Sequence, residues 1–154
     1  MLTLRSLKWK ILIKDYKKKL NKEKKYLILL DLESNAHTFN NYYFLYQESN
    51  NCEEIRKSSV KKLKELCNTF EECKFVYTIK PTLDILLKLI SSAEFFYQYA
   101  YIIENCLTLH AVGLTNDILK KCISLANNKE DYTFIYDNTV TGSKEWRIAQ
   151  KKLN

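Results

Sequence analysis

Short apolar runs alternate with longer amphipathic segments along this chain of 154 residues. Three runs, YLILL (26–30), KFVYTI (74–79) and YTFIY (132–136), are continuous and bounded by polar residues, which is typical of buried strands. Segments 49–70 and 114–125 instead repeat apolar residues at helical spacing, with polar residues opposite. Strands that alternate with helices predict an α/β fold, a three-layer sandwich with a central, mainly parallel sheet flanked by helices.

Secondary structure can also be predicted for the other segments, although two of them have alternative assignments. Residues 82–112 are long and apolar and predict two helices, with Pro81 suited to a first helical turn. Residues 141–153 predict a terminal helix or a loop. Thr115 and Asn116 are capping candidates for the helix that follows them. Residues 7–20 fit a strand by alternation and a helix by the spacing of their apolar residues, and both assignments stay open. We find no internal repeat.

Charge is concentrated at the N-terminus. The net charge is +7, and residues 1–25 hold ten Lys/Arg against two acids. We therefore expect a basic extension over 1–25 followed by one domain over 26–154, with single-stranded RNA as a partner, since lysines bind phosphates and aromatic rings stack on unpaired bases. The residues expected to contact nucleic acid are Lys17, Lys18, Lys19, Lys24, Lys25, Tyr42 and Tyr43. An amphipathic membrane-surface segment or a solvated terminus are the alternatives.

Composition excludes several classes of site. With two Gly and one Pro, the chain has neither a P-loop nor a GxGxxG fingerprint. Five cysteines without CxxC spacing predict reduced thiols in a cytoplasmic protein, with Cys67 and Cys122 packed in the core. No apolar run is long enough to predict a transmembrane helix.

Acidic residues follow two of the predicted strands. Asp31 ends the first and Asp137 ends the third, while Asp117 lies near the start of the helix between them in sequence. The carboxyl ends of parallel strands meet at one edge of a sheet, where ligands bind. Converging carboxylates repel one another unless a cation neutralises them, which predicts Mg²⁺ or Mn²⁺ held by these three acids.

The pieces YLILLDLESNAHTF (26–39), GLTNDILKKCISL (113–125) and YTFIYDN (132–138) resemble a PIN-like domain, a family of metal-dependent nucleases that act mostly on RNA. The resemblance implies that Asp31, Asp117 and Asp137 are catalytic acids, with Asp84 the nearest candidate for the remaining one. Ile85 stands where the family usually has a glutamate. The family often forms homodimers, so a homodimer is a further expectation.

Three hypotheses follow. In the first, the chain is a divalent-metal-dependent ribonuclease in which the metal activates water against a phosphodiester. In the second, an incomplete acid set leaves a catalytically degenerate PIN-like module that binds RNA or a protein partner. In the third, the predicted strands are helix segments of a mainly helical protein-interaction domain, because periodicity alone does not separate short apolar runs of the two kinds.

Overall fold

The computed structural model describes residues 4–18, 20–106 and 112–154, and this part of the chain is all-helical. It contains ten helices and no strand. The prediction of an α/β sandwich with a parallel sheet is therefore wrong, and so is the PIN-like fold. The helices are α1 (Leu4–Tyr16), α2 (Lys22–Asn35), α3 (Phe39–Glu48), α4 (Glu53–Leu66), α5 (Phe70–Ile79), α6 (Leu83–Ser92), α7 (Phe96–Cys106), α8 (Val112–Leu125), α9 (Lys129–Asp137) and α10 (Lys144–Leu153).

All three predicted strands are helical. YLILL lies inside α2, KFVYTI forms the end of α5, and YTFIY forms the end of α9. In α2 the buried residues are Leu29 and Leu32, three apart, whereas Leu27 and Leu30 are exposed. This burial pattern has the period of a helix. The sequence does not reveal it because every residue of the run is apolar, whether buried or exposed. Burial of one helical face outweighs the strand preference of the residues in these runs.

Several predicted helices are confirmed, although the observed bounds differ from the predicted ones. The 49–70 segment contains α4, the 82–112 segment contains α6 and α7, and the 114–125 segment lies in α8. The terminal segment contains α10, and residues 7–16 of the segment whose assignment was open lie in helix α1. The capping prediction for Thr115 and Asn116 is wrong, because both residues lie inside α8.

Consecutive helices pack as pairs within two compact units. Residues 1–67 form the first unit, in which α1 packs on α2 and α3 on α4. Residues 68–154 form the second, in which α5 packs on α6, α7 on α8, and α9 on α10. In the first unit α2 also contacts α4, and in the second α8 contacts α10. Stacked helix pairs of this kind are the organisation of helical-repeat proteins.

A seven-residue turn recurs at the junctions between these pairs. We name it the junction turn, and it occupies residues 36–42, 67–73, 93–99 and 126–132. Three copies begin with Ala and end with Tyr, and in each the Tyr hydroxyl donates to the Ala carbonyl oxygen: Tyr42 to Ala36 at 3.1 Å, Tyr99 to Ala93 at 2.8 Å, and Tyr132 to Ala126 at 3.2 Å. The copy at 67–73 has Cys at both ends. The copies begin 31, 26 and 33 residues apart, so no fixed period reveals them.

The sixth residue of each junction turn caps the helix that follows. Its side-chain oxygen accepts hydrogen bonds from the backbone N–H of the second residue of the turn, of the third, or of both. The N–H groups at the start of a helix have no acceptor within the helix, so these bonds stabilise it. Gln98 Oε1 accepts from Glu94 at 2.7 Å and from Phe95 at 3.1 Å, and Glu72 accepts from Asn68 and Thr69. The other capping acceptors are Asn41 and Asp131.

Fully buried residues lie at a fixed spacing from each junction turn. The residue four positions before each turn is fully buried, and so is the residue three positions after it. The first set is Leu32, Leu63, Leu89 and Cys122, and the second is Leu45, Val76, Ile102 and Ile135. Burial of Cys67 and Cys122 confirms that these two thiols pack in the core.

Candidate functional site

The four predicted catalytic acids lie on four different helices. Asp31 is exposed on α2 in the first unit. In the second unit, Asp84 is in the first turn of α6, Asp117 is on α8, and Asp137 is the last residue of α9. All are exposed, and the Asp117 carboxylate forms an ion pair with Lys120 at 2.9 Å. The strand ends that were expected to gather these acids are absent from the described helices.

Within residues 4–18, 20–106 and 112–154, no group of three or more His, Cys, Asp or Glu side chains is placed to hold a metal ion. Together with the all-helical fold, this overturns the prediction of a PIN-like metal nuclease with a three-carboxylate centre. Binding of Mg²⁺ or Mn²⁺ by an individual acid, and a catalytic role for any of the four, stay predictions.

The residues predicted to bind nucleic acid have diverse environments. Lys17 and Lys24 are exposed, Lys18 pairs with Asp15, and Lys25 lies 5.2 Å from the centre of the Tyr16 ring. Lys19 lies outside the described residues. Tyr42 is buried and hydrogen-bonded to Ala36, while the half-buried ring of Tyr43 stacks on Phe39 at 6.4 Å. RNA contact by these side chains stays a prediction.

The two units differ in net charge. Residues 1–67 contain fifteen Lys/Arg and eight acids, a balance of +7, whereas residues 68–154 contain ten of each. The whole formal charge of the protein therefore belongs to the unit formed by α1 to α4. A positive surface favours acidic partners and raises the rate at which they associate.

Helix α1 has two apolar faces. One carries Trp9 and Tyr16, which are buried and form T-shaped ring contacts with Phe44. The other carries Leu4, Leu7 and Ile11, which are 89%, 52% and 55% exposed. We name these three residues the apolar stripe. Their spacing of three and four residues places them together on one side of the helix.

The apolar stripe belongs to a groove between α1 and α2. One surface cavity of about 340 Å³ is lined by Leu4, Leu7 and Ile11 of α1 and by Asn35 of α2. A second, of about 350 Å³, is lined by residues of the same two helices and of the segment that joins them: Asp15, Lys18, Leu20, Lys24, Leu27 and Ile28.

Helical spacing places the two cavities on the same face of α1 and on the same face of α2. On α1, Leu4, Ile11 and Asp15 are separated by seven and four residues and share a face. On α2, Lys24, Ile28 and Asn35 share a face for the same reason. Since Leu4 meets Asn35 at one end and Asp15 meets Lys24 at the other, the helices are antiparallel and the groove follows both. From Leu4 to Asp15 it extends about 16 Å, at about 1.5 Å per residue.

Most charged side chains along this groove are positive. Arg5 and Lys8 line the first cavity, and Lys18 and Lys24 line the second. Asp15 pairs with Lys18, and Asp31 lies on the groove face of α2 by its spacing from Ile28. The α1–α2 groove thus combines an exposed apolar floor with a basic border.

A further cavity in the first unit, of about 370 Å³, surrounds Tyr16 and Glu48. Burial, assisted by the hydrogen bond to the Glu48 carboxylate, raises the pKa of Tyr16 to about 12. Lys25 lies over the Tyr16 ring. Glu48 and Lys25 both engage Tyr16, so this cavity is a weaker binding candidate than the α1–α2 groove.

The second unit presents a stacked aromatic pair. Phe95 and Tyr97 are exposed, with ring centres 5.8 Å apart and planes 8° from parallel. They border a cavity of about 380 Å³ that also includes Asn127, Asn128 and Asp131. Asp131 already caps α9 in this place, accepting the Asn127 N–H at 2.9 Å. Because Asp131 already stabilises the start of α9, its presence beside this cavity does not by itself indicate a binding site.

The apolar stripe was not among the residues that sequence reasoning singled out. Its signal was present, because Leu4, Leu7 and Ile11 repeat at helical spacing beside the Trp9 and Tyr16 set. This signal was ambiguous, because lysines also alternate with the apolar residues Leu7, Trp9, Ile11 and Ile13, a pattern that fits a strand.

In comparisons with known proteins, no family model matches the chain, and no curated protein or solved structure matches it significantly. None of the helices in the described ranges has the length and apolar character needed to span a membrane.

Proposed function

We propose that this chain is a protein-interaction module built from stacked helix pairs, and that it binds another protein through the α1–α2 groove. The observation that carries the proposal is the exposure of the apolar stripe on α1. Three large aliphatic side chains that lie together on one side of an exposed helix mark a surface that another protein covers.

The mainly helical fold supports this proposal, since stacked helix pairs offer extended surfaces for partners. A helix that lies in an apolar groove is a common recognition mode, with anchors spaced three, four and seven residues apart. The apolar stripe has that spacing on the receiving side.

Site-specific photo-crosslinking tests the proposal. A photoreactive residue replaces Ile11 in the full chain, expressed in its native cells, and the cross-linked protein is identified by mass spectrometry and rebound in purified form. We expect the purified partner to bind the wild-type chain and to lose at least about tenfold in affinity for Leu7→Ser/Ile11→Ser.

The matched control is Leu83→Ser/Leu87→Ser. These leucines are also four residues apart on one helix and are 49% and 47% exposed, close to the values for Leu7 and Ile11. Equal loss in both double variants would contradict the assignment to the α1–α2 groove. If the cross-linked species is RNA or a second copy of the chain, the protein-partner proposal fails in favour of the nucleic-acid or homodimer prediction.

A further inference from the structure

We infer that the occupant of the α1–α2 groove is an acidic amphipathic helix, about three turns long, contributed by a separate protein. The inference rests on the proposed function and specifies the chemistry of the partner. The groove accommodates three turns because it extends about 16 Å along α1, from Leu4 to Asp15, and a helix rises about 5.4 Å per turn.

The apolar stripe requires an apolar face on the occupant. Leu4, Leu7 and Ile11 lie on one side of α1 and open onto a cavity closed by Asn35 of α2. Side chains at positions i, i+3 or i+4, and i+7 of a bound helix match this arrangement. Binding removes the exposed aliphatic surface from water, which is the main source of affinity.

The basic border requires an acidic flank. Residues 1–35 contain ten Lys/Arg against four acids, and one of those acids, Asp15, is already paired with Lys18. Lys8 lines the first cavity of the groove and Lys24 lines the second. Glutamates beside the apolar face of the occupant would meet these cations and speed its association.

The positive charge of this segment also disfavours a second copy of the chain as the occupant of the groove. Two copies meeting through this groove would bring together two segments that each carry ten Lys/Arg and two acids over residues 1–25. Like charges at such an interface oppose association. A partner of opposite charge has no such cost.

Fluorescence anisotropy with designed peptides of about 20 residues tests the inference. The first peptide has a Leu/Ile face flanked by Glu, the second keeps that face with Lys flanks, and the third keeps the Glu flanks with Ser in place of Leu and Ile. We expect the first peptide to bind the full chain at least about tenfold more tightly than either of the others, with weaker binding at higher salt.

Two variants locate the binding. Leu7→Ser/Ile11→Ser should weaken the first peptide by about tenfold or more, and Lys8→Gln/Lys24→Gln should weaken it and reduce its salt dependence. The Leu83→Ser/Leu87→Ser control should bind normally. Circular dichroism of each variant shows that its helices are retained, so a loss of binding is not a loss of folding.

Several outcomes would overturn the inference. Equal binding of the Lys-flanked peptide would exclude charge selection, and equal loss in the Leu83/Leu87 control would exclude the groove. Stripe-dependent binding of a single-stranded RNA 20-mer or of phosphatidylserine vesicles, without binding of the acidic peptide, would assign the surface to nucleic acid or lipid. If the acidic peptide fails while the protein cross-linked at Ile11 still binds through the apolar stripe, the inference fails and the proposed function stands.

Discussion

The hydroxyl of Tyr99 donates a 2.8 Å hydrogen bond to the carbonyl oxygen of Ala93, six residues earlier in the chain. This bond spans the junction turn between α6 and α7, and both residues are buried. A buried carbonyl that lacks a partner carries a desolvation cost, so the tyrosine stabilises the turn by satisfying Ala93.

Removing this hydroxyl should destabilise the second unit. We expect Tyr99→Phe to lower the free energy of unfolding by about 1 kcal/mol, because it leaves the Ala93 carbonyl without its donor. Urea denaturation followed by circular dichroism measures the change. Tyr97→Phe is the control, since the exposed Tyr97 ring lies two residues away, and it should change stability by less than about 0.5 kcal/mol. Similar effects in the two variants would show that the turn bond is unimportant.

The Gln98 cap gives a second prediction about the same turn. Gln98→Ala removes the acceptor for the Glu94 and Phe95 N–H groups, and loss of a cap costs about 0.5–2 kcal/mol. Gln98→Glu keeps an acceptor of equal reach, as Glu72 provides at the same position of its turn, so it should retain most of the stability. Chemical denaturation of both variants checks this. A glutamate that is as destabilising as the alanine would contradict the capping role.

Burial within α6 predicts a contrast between two leucines. Leu89 is fully buried, whereas Leu87, two residues away, is about half exposed. Leu89→Ala should lower the free energy of unfolding by about 2–5 kcal/mol, since it leaves a cavity, and Leu87→Ala should lower it by less than about 1 kcal/mol. Thermal and urea denaturation of the two variants measure the difference. If the two losses are equal, the burial assigned to α6 is incorrect.

The Tyr16 hydroxyl predicts a loss of stability at alkaline pH. Its pKa is raised from 10.0 to about 12 in the folded chain, chiefly by burial and then by the Glu48 hydrogen bond. Because the unfolded chain releases this proton at lower pH than the folded chain, the stabilisation is complete below pH 10 and is lost as the pH rises towards 12.

Tyr16→Phe should therefore make stability fall less steeply between pH 10 and 12 than in the wild type. Denaturation at stepped pH gives the two slopes, and the difference in tyrosinate absorbance between the proteins should titrate near pH 12. Tyr97→Phe serves as the control for removing an exposed tyrosine. A difference absorbance that titrates near pH 10 would show that Tyr16 is not held in the protonated form.

Thiol reactivity tests the core around α8. Burial, followed by the charge of Asp131, raises the pKa of Cys122 to about 12, whereas Cys52 is only half-buried. Alkylation requires the thiolate, whose fraction falls roughly tenfold per pKa unit, so Cys122 should react far more slowly than Cys52 at pH 8. Peptide mapping after timed iodoacetamide treatment measures both rates, and unfolding in urea should equalise them. Rapid alkylation of Cys122 in the folded chain would contradict its burial.

The sequence by itself determined the features that depend on local pattern. The amphipathic period of residues 49–70 predicted the helix that the structure bounds as α4, and the excess of lysine over residues 1–25 located the charge of the first unit. The buried positions of Cys67 and Cys122 also followed from their place on apolar helix faces. These features need only the periodicity of a helix and the count of charges.

Only the tertiary structure decided whether the short apolar runs are strands or helices. The sequence YLILL is compatible with a strand and with a helix. The helix is the one observed because packing buries Leu29 and Leu32 and leaves Leu27 and Leu30 exposed. The same packing placed the predicted acids on separate helices and left Leu7 and Ile11 exposed while it buried Trp9. Which apolar side chains are covered depends on contacts distant in sequence, and local spacing contains no information about those contacts.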